Sequence, residues 1–340
     1  MERVTVERSQ VLWHRLRANH LAERLPADSL GAAAFAGLQD SAPRAALTSL
    51  YARVAAVGCS DWEHPSLVQT WAPRGAVFIV ARNDLPVFAL GILPRDPELR
   101  RALEQLARSA RESVTAPRVK ETGELRRGRL PALVAQRLRR RPIPRLIHAI
   151  AGVQIRWDGQ STRLLPSPAP EMDVEEARRE LARRFLRSLA PAGAARFSRW
   201  AAVSHGDARA TFDALRGELV SVEWSGGSGL VLAEDVEALE TAEPVTGVRF
   251  LAYGGDPVLQ PGEDVVAADP AHRRAAQPPW ASTGLVLLDG EPVAAWGRRA
   301  GRITVLPLKS LAGESRHEIE TEALGMPVPN AQTQVQWRER

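Results

Sequence analysis

The chain has 340 residues, 44% hydrophobic and 25% charged, with 45 Lys and Arg against 40 Asp and Glu for a formal net charge of +5. That length exceeds what one hydrophobic core usually serves, so several structural units are expected. The apolar runs GAVFIVA and PVFALGIL fall well short of the roughly 20 residues a membrane-spanning helix needs, and MERVTVERSQ lacks the apolar run of a signal peptide. A single cysteine, Cys59, excludes an internal disulfide or a multi-thiolate zinc site; a cytoplasmic protein is expected.

Residues 1–94 begin with a helical run, SQVLWHRLRANHL, followed by FAGLQDSAPRAALTSLYARVAAV at 35–57. Here Gln39, Asp40 and Ser41 form a polar corner between two apolar helical runs, and Pro43 can open the second helix where a missing N–H is harmless. That helix places Ala46, Leu47, Leu50, Tyr51 and Val54 on one face. Two helices joined by a polar turn suit a helix-turn-helix; a helix hairpin packed in a core is the alternative. SLVQTWAPRGAVFIVA then reads as a hairpin turning at Pro73-Arg74-Gly75, with Trp71 in the core.

Residues 95–170 repeat the plan, with a helix over Pro97 to Ser113, two helical runs in GRLPALVAQRL and IPRLIHAIAG, and a hairpin in VQIRWDGQSTRLLP. Asp158-Gly159 is a strong two-residue turn signal, flanked by Arg156 and Arg163. Residues 171–232 show the plan most clearly. Asp173 caps EEARRELARRFLRSL, whose Ala177, Leu181, Phe185, Leu186 and Leu189 make an apolar stripe. AARFSRWAAV, a Ser204 cap, HGDARATFDALRGE and the hairpin ELVSVEW-SGGS-GLVLAE follow. This order is that of a winged helix. Residues 233–340 alternate in short strands broken by Gly and Pro, with one helix at ESRHEIETEAL, and read as a small antiparallel β-barrel. The expected fold is therefore α+β, three tandem winged-helix units followed by that barrel.

Charge is unevenly placed. Between Arg118 and Arg145 ten basic residues face only Glu121 and Glu124, a block that suits a polyanion partner. A GC-rich genome accounts for abundant arginine but not for its clustering. Seven histidines are scattered without metal-like spacing, and GGSG at 226–229 lacks the GK[ST] of a phosphate loop; no metal and no cofactor are expected.

Six stretches then occur in a telling order: GLQxxxPRAALxSLxAR from Gly37, LVxTWAxRG from Leu67, ARRELARRFLRSLAPAGAARFSRW from Ala177, LxGELVSVEW from Leu215, DPVL from Asp256 and LLDGEPVAAWGRR from Leu287. Together they resemble the bacterial winged-helix DNA-binding domain family that includes the AlkZ- and YcaQ-type DNA glycosylases. The resemblance implies tandem winged helices around duplex DNA and a Gln-x-Gln or Gln-x-Asp motif holding the water that cleaves the N-glycosidic bond of an alkylated base. Gln39 matches the first position of that motif, Ser41 replaces the second Gln or Asp, and Asp40 offers a carboxylate one residue away. On a helix, Asp40 would point about 100° aside. The expected function is a monomeric, monofunctional glycosylase acting on alkylated bases in double-stranded DNA, and so associated with the nucleoid. The alternative is a non-catalytic DNA-binding relative, a regulator or lesion binder. Catalytic candidates are Gln39, Asp40 and Ser41; candidates for DNA contact are Arg44, Arg74, Arg126, Arg127, Arg129, Arg139, Arg140, Arg141, Arg145, Arg156 and Arg163.

Overall fold

The computed structural model describes residues 3–42, 44–115, 150–157, 162–253, 256–259, 265–266, 269 and 282–338. The N-terminal part comprises β1 (Arg3–Thr5), α1 (Arg8–Ala18), a short α2 (Leu30–Ala33), β2 (Leu38–Gln39), α3 (Ala45–Arg53), β3 (Leu67–Trp71), β4 (Val77–Ala81) and α4 (Leu85–Leu90). The hairpin expected at 66–81 is present, with β3 and β4 antiparallel and the turn at Pro73–Gly75.

The link between α2 and α3 differs from expectation: Gln39 lies on a strand rather than in a helix-to-helix corner. Gly37 at φ +74° turns the chain, and a Cβ there would meet the Phe78 and Phe88 rings at 3.0 Å. That turn lays Leu38 opposite Ile79 and Gln39 opposite Phe78, giving a three-stranded sheet ordered β2-β4-β3. The pairing satisfies backbone groups that a loose loop would leave to water, and the Asp40 N–H continues it to the Val77 carbonyl at 2.8 Å. Pro43 lies outside the described residues.

The α3 helix is not one-faced. Ala45 to Leu50, Ala52 and Arg53 are all buried, because one side packs with Leu30, Leu38 and Ile79 while Ala45 and Tyr51 meet the core of the C-terminal sheet. A helix buried nearly all round belongs between two layers. Trp71 is buried against Leu99, Leu103 and Ile155.

Of residues 95–170 the described parts are α5 (Pro97–Thr115) and the antiparallel pair β5 (Val153–Trp157) and β6 (Thr162–Pro166). The two helical runs expected between them and the Asp158-Gly159 turn lie largely outside the described residues. Next come α6 (Val174–Leu189), α7 (Ala194–Ala201), α8 (His205–Ala214), β7 (Leu219–Trp224) and β8 (Gly227–Leu232). Asp173 accepts from the Glu176 N–H and Ser204 from the Asp207 N–H, both at 2.9 Å, so each cap takes an orphan donor of its first turn. Phe185 is the hub of the core, with ring centroids 5.4 Å from Phe197 and 5.3 Å from Trp200. The β7–β8 pair gains a third strand from the N-terminus, since β1 runs parallel to β7.

After α9 (Val236–Glu240) come β9 (Val248–Ala252), β10 (Ser282–Leu288), β11 (Glu291–Arg299), β12 (Arg302–Pro307), α10 (Gly313–Leu324) and β13 (Gln334–Trp337). They correct the expected barrel. Among the described residues the sheet is open, ordered β13-β12-β11-β10-β9, and it is not wholly antiparallel, because β13 runs parallel to β12. The reason is the α10 crossover: a strand that returns through a helix arrives in the same direction as the one it left. The β9 strand packs on α3 instead of closing onto a further strand. The fold is thus mixed α+β. No helix among the described residues is long and apolar enough to cross a membrane.

Candidate functional site

Strand geometry sorts the polar motif into two faces. Successive residues of an extended chain face opposite sides, so Gln39 and Ser41 share one side and Asp40 takes the other. Accordingly Gln39 is half-buried, Ser41 exposed and Asp40 fully buried. Gln39 Nε2 donates to Ser41 Oγ at 2.8 Å, and Gln39 Oε1 accepts from an Arg74 nitrogen at 2.6 Å. Arg74 occupies the left-handed region at φ 63° in the β3–β4 turn. Its other arm donates to the Trp200 carbonyl at 2.7 Å, tying the turn to the end of α7. Burial lowers the Arg74 pKa from its ordinary value.

Beneath that face Asp40 organises the scaffold. Its Oδ1 accepts from the Ala46 N–H at 3.1 Å, an orphan donor in the first turn of α3. Its Oδ2 accepts from Arg44 at 3.2 Å and from Gln69 Nε2 at 3.0 Å. Burial pushes the Asp40 carboxyl up to about 6, although the Ala46 N–H, Arg44 and Gln69 all oppose the shift. Gln69 Oε1 accepts from the Trp157 N–H at 2.6 Å, and Arg44 donates to the Trp157 carbonyl at 3.2 Å. The β5–β6 hairpin is thereby fastened to the motif through Trp157, the last residue of β5. The Arg44 guanidinium lies 3.6 Å from the centre of the Trp62 ring, with that of Arg156 at 5.5 Å.

Of the sequence candidates, Gln39, Asp40, Ser41, Arg44 and Arg74 converge on one corner. Arg156 approaches it from β5 and pairs with Glu63 at 3.4 Å; Arg163 is exposed on β6, opposite Arg156 in the register. Arg126, Arg127, Arg129, Arg139, Arg140, Arg141 and Arg145 lie outside the described residues. Asp256 is a structural partner, fully buried and bonded in bidentate fashion to Arg53 at 2.6 and 2.9 Å.

Sequence reasoning missed Gln69, Trp62, Trp157 and Arg298. Gln69 did leave a signal, as a lone amide in the apolar strand LVQTW, where a buried polar residue asks for partners. Arg298 comes from β11, far away in sequence. Its pKa is lowered by burial and by Arg44, with Asp40 opposing, which marks it as an electrostatic neighbour of the corner. Arg298 also lines a groove of about 700 Å³ together with Arg299, Arg302, Gln334 and Arg338.

Chemically, the exposed face offers an oriented carboxamide and a hydroxyl beside a guanidinium. A carbonyl oxygen carries two lone pairs and an amide nitrogen two hydrogens, so Gln39 retains one of each for a ligand. The carboxylate faces away and already receives three donors.

A family model described as DNA glycosylase AlkZ-like matches residues 32–326. A relative from Streptomyces sahachiroi, an interstrand DNA cross-link repair glycosylase, is 31% identical over 162 residues, which are 44% of this chain and 43% of that protein. The match therefore spans less than half the length of that relative. In three dimensions, the Streptomyces sahachiroi DNA glycosylase AlkZ superposes with a TM-score of 0.74 at 20% identity, covering 99% of this chain and 100% of that one. That likeness shows the fold, and the family model spans all six sequence stretches that first suggested it. The chain belongs to the AlkZ-like DNA glycosylase family.

Proposed function

We propose that this protein is a monofunctional DNA glycosylase that hydrolyses the N-glycosidic bond of an alkylated base in duplex DNA. The observation that carries the reading is the Gln39 carboxamide, half-exposed and fixed from both ends by Arg74 and Ser41, on a scaffold matched along nearly its whole length by a glycosylase. A base made cationic by alkylation is already a good leaving group and asks for little acid catalysis. Positioning of water and sugar then does most of the work, and an oriented amide is suited to it. Asp40 acts in this reading as a positioning residue, because its carboxylate holds Ala46, Arg44 and Gln69.

In the same reading residues 1–94, 95–170 and 171–232 are three winged-helix units that follow the duplex as a monomer, and 233–340 is the domain that closes it. The Arg118 to Arg145 block and the described Arg156 and Arg163 meet phosphates. Replacing Arg139, Arg140 and Arg141 by Ala should weaken binding to any duplex and flatten its salt dependence, by close to one unit of slope for each phosphate no longer neutralised. Unchanged affinity would assign that block to the solvated surface.

The deciding experiment is base release from duplex DNA carrying 7-methylguanine. Gln39→Ala should keep the fold and duplex affinity while slowing release about 10²- to 10³-fold, the usual effect of losing one positioning or electrostatic group. A second reading, a DNA-binding relative without catalysis, draws on Ser41 standing where the family's motif has Gln or Asp and on the Asp40 carboxylate facing inward at zero exposure. Wild-type protein that binds duplex well but releases no base would establish it.

A further inference from the structure

We infer that Arg74 is a positioning residue that sets the direction of the hydrogen bonds at this corner, making the Ser41 hydroxyl the donor presented to the bound nucleotide. The inference rests on the glycosylase reading for its substrate, but its geometry is a property of the protein alone. A guanidinium has five donors and no acceptor, so the end of the Gln39 carboxamide that meets Arg74 at 2.6 Å is Oε1. Nε2 must then point to Ser41, 2.8 Å away. An amide nitrogen only donates, so Ser41 Oγ accepts and its own proton turns elsewhere. Among the described residues no other group accepts it, and Ser41 is exposed. Hydrogen-bond polarity therefore runs one way, from Arg74 through Gln39 to Ser41 and out into solvent.

Arg74 cannot easily give way. Its other arm holds the Trp200 carbonyl at 2.7 Å, and its backbone is fixed at φ 63° beside Gly75, also at φ 63°. Reversing the Gln39 amide would set donor against donor at a half-buried site, which costs more than an ordinary lost hydrogen bond. The carboxylate of the motif, Asp40, lies on the opposite face under three donors. The open face is thus donor-rich. The Ser41 O–H fits an acceptor atom of the nucleotide, a ring nitrogen or carbonyl oxygen of the departing base, while Gln39 keeps its second Oε1 lone pair and second Nε2 hydrogen for water. As the glycosidic bond breaks, its electron pair passes to the base; negative charge grows on those atoms relative to the ground state, and the Ser41 O–H donates to it while keeping its proton.

Gln39→Glu is the discriminating variant. A carboxylate at 39 still accepts from Arg74 but cannot donate to Ser41, whose hydroxyl then turns inward. Single-turnover release from 7-methylguanine duplex should fall about tenfold or more in both Gln39→Glu and Ser41→Ala, with affinity for undamaged duplex preserved and Ser41→Thr retaining activity. A rate at or above wild type in Gln39→Glu or Ser41→Asp would overturn the inference, since the site would then be asking for an acceptor. The carboxamide is followed separately, in protein without DNA, through the NMR signals and hydrogen exchange of the Gln39 side-chain NH2 pair. These should be protected in wild type and move to the positions of an exposed glutamine in Arg74→Met, with Arg74→Lys restoring part of the protection. A wild-type pair already at those positions overturns the inference whether or not any base is released. Protected signals in a protein that releases no base would sink the glycosylase reading alone. The donor is then read from the ratio of lesion to undamaged affinity, which should fall in Gln39→Glu and Ser41→Ala; an unchanged ratio overturns it.

Discussion

The unit that carries Gln39 and the unit at 174–232 both combine short helices with an antiparallel hairpin, yet they are held together by different chemistry. In the second, each long helix starts at a capping side chain, Asp173 or Ser204, and Phe185, Phe197, Trp200 and Phe212 fill a core that Phe78 and Phe88 of the first also join. In the first, α3 starts at Arg44 with φ 65° and no capping bond of its own, and its orphan donor is taken by Asp40 from across the corner. Its far end is fixed by a buried ion pair, Arg53–Asp256, with both side chains at 0% exposure. The contrast separates a scaffold, where local propensity and burial agree, from the candidate site, where they conflict. Conflicts of that kind concentrate where function does. A strand two residues long carries Gln39, a half-buried guanidinium meets its amide, and a cation begins the helix beside Asp40.

The sharpest way to break the comparison is to remove its anchors. Asp256→Ala strands the Arg53 charge and should cost about 3–5 kcal/mol in denaturant unfolding. Exchanging both partners for apolar residues, Arg53→Met with Asp256→Leu, should recover most of that loss. Phe197→Ala should cost a similar 3–5 kcal/mol, as an estimate of about one core cavity, with no such rescue by changing a partner. A double variant as unstable as Asp256→Ala would show that α3 is not held by charge in the way described.

A smaller effect appears in pH dependence. The Asp40 carboxyl is raised to about 6 by burial, so the folded chain binds its proton more tightly than the unfolded chain. This group adds stability as pH falls from about 6 toward 4. His14 lies on α1, which docks on the 174–232 unit through Arg15 and the Ala190 carbonyl at 2.8 Å. Burial lowers it to about 4, so there the unfolded chain is the better proton acceptor, and stability is lost as pH falls from 6.5 toward 4. Each shift is worth about 3 kcal/mol. Relative to wild type, Asp40→Asn should become less stable across that range as acid is added, and His14→Gln more stable. Same-sign differences in urea unfolding would refute these opposite assignments.

The smallest expected effect tests the cap. Ser204→Ala should lower stability by about 1 kcal/mol while leaving base release from 7-methylguanine duplex at the wild-type rate. Slowed release would mean that the two units are not separable as scaffold and site.

Much of this was legible in the residues. Period-3.6 patterns between capping signals marked the helices of 174–232, and period-2 patterns around Pro73-Arg74-Gly75 and SGGS marked the hairpins, because each is decided within a few neighbouring residues. The six stretches in order pointed to the family. Gln39 and Ser41 were recognisable as a pair at spacing two. The open sheet was not legible, since whether a sheet closes depends on how α10 carries the chain back to β12 and on β9 meeting α3, which join segments far apart in sequence.

The sequence alone determined the hydrogen-bonding inventory of the motif, an amide, a carboxylate and a hydroxyl in succession, and the locally encoded helices and turns around it. Only the tertiary structure decided which way each group faces. Pairing of Leu38–Gln39 with β4 turned a supposed helical corner into a strand, and strand alternation placed Gln39 and Ser41 outward and Asp40 inward. Arg74, 35 positions from Gln39 in the chain, then oriented the amide. The physical reason is range: propensity and periodicity act over one or two turns of chain, whereas the direction of a hydrogen bond is set by whichever donor the fold brings to the other end.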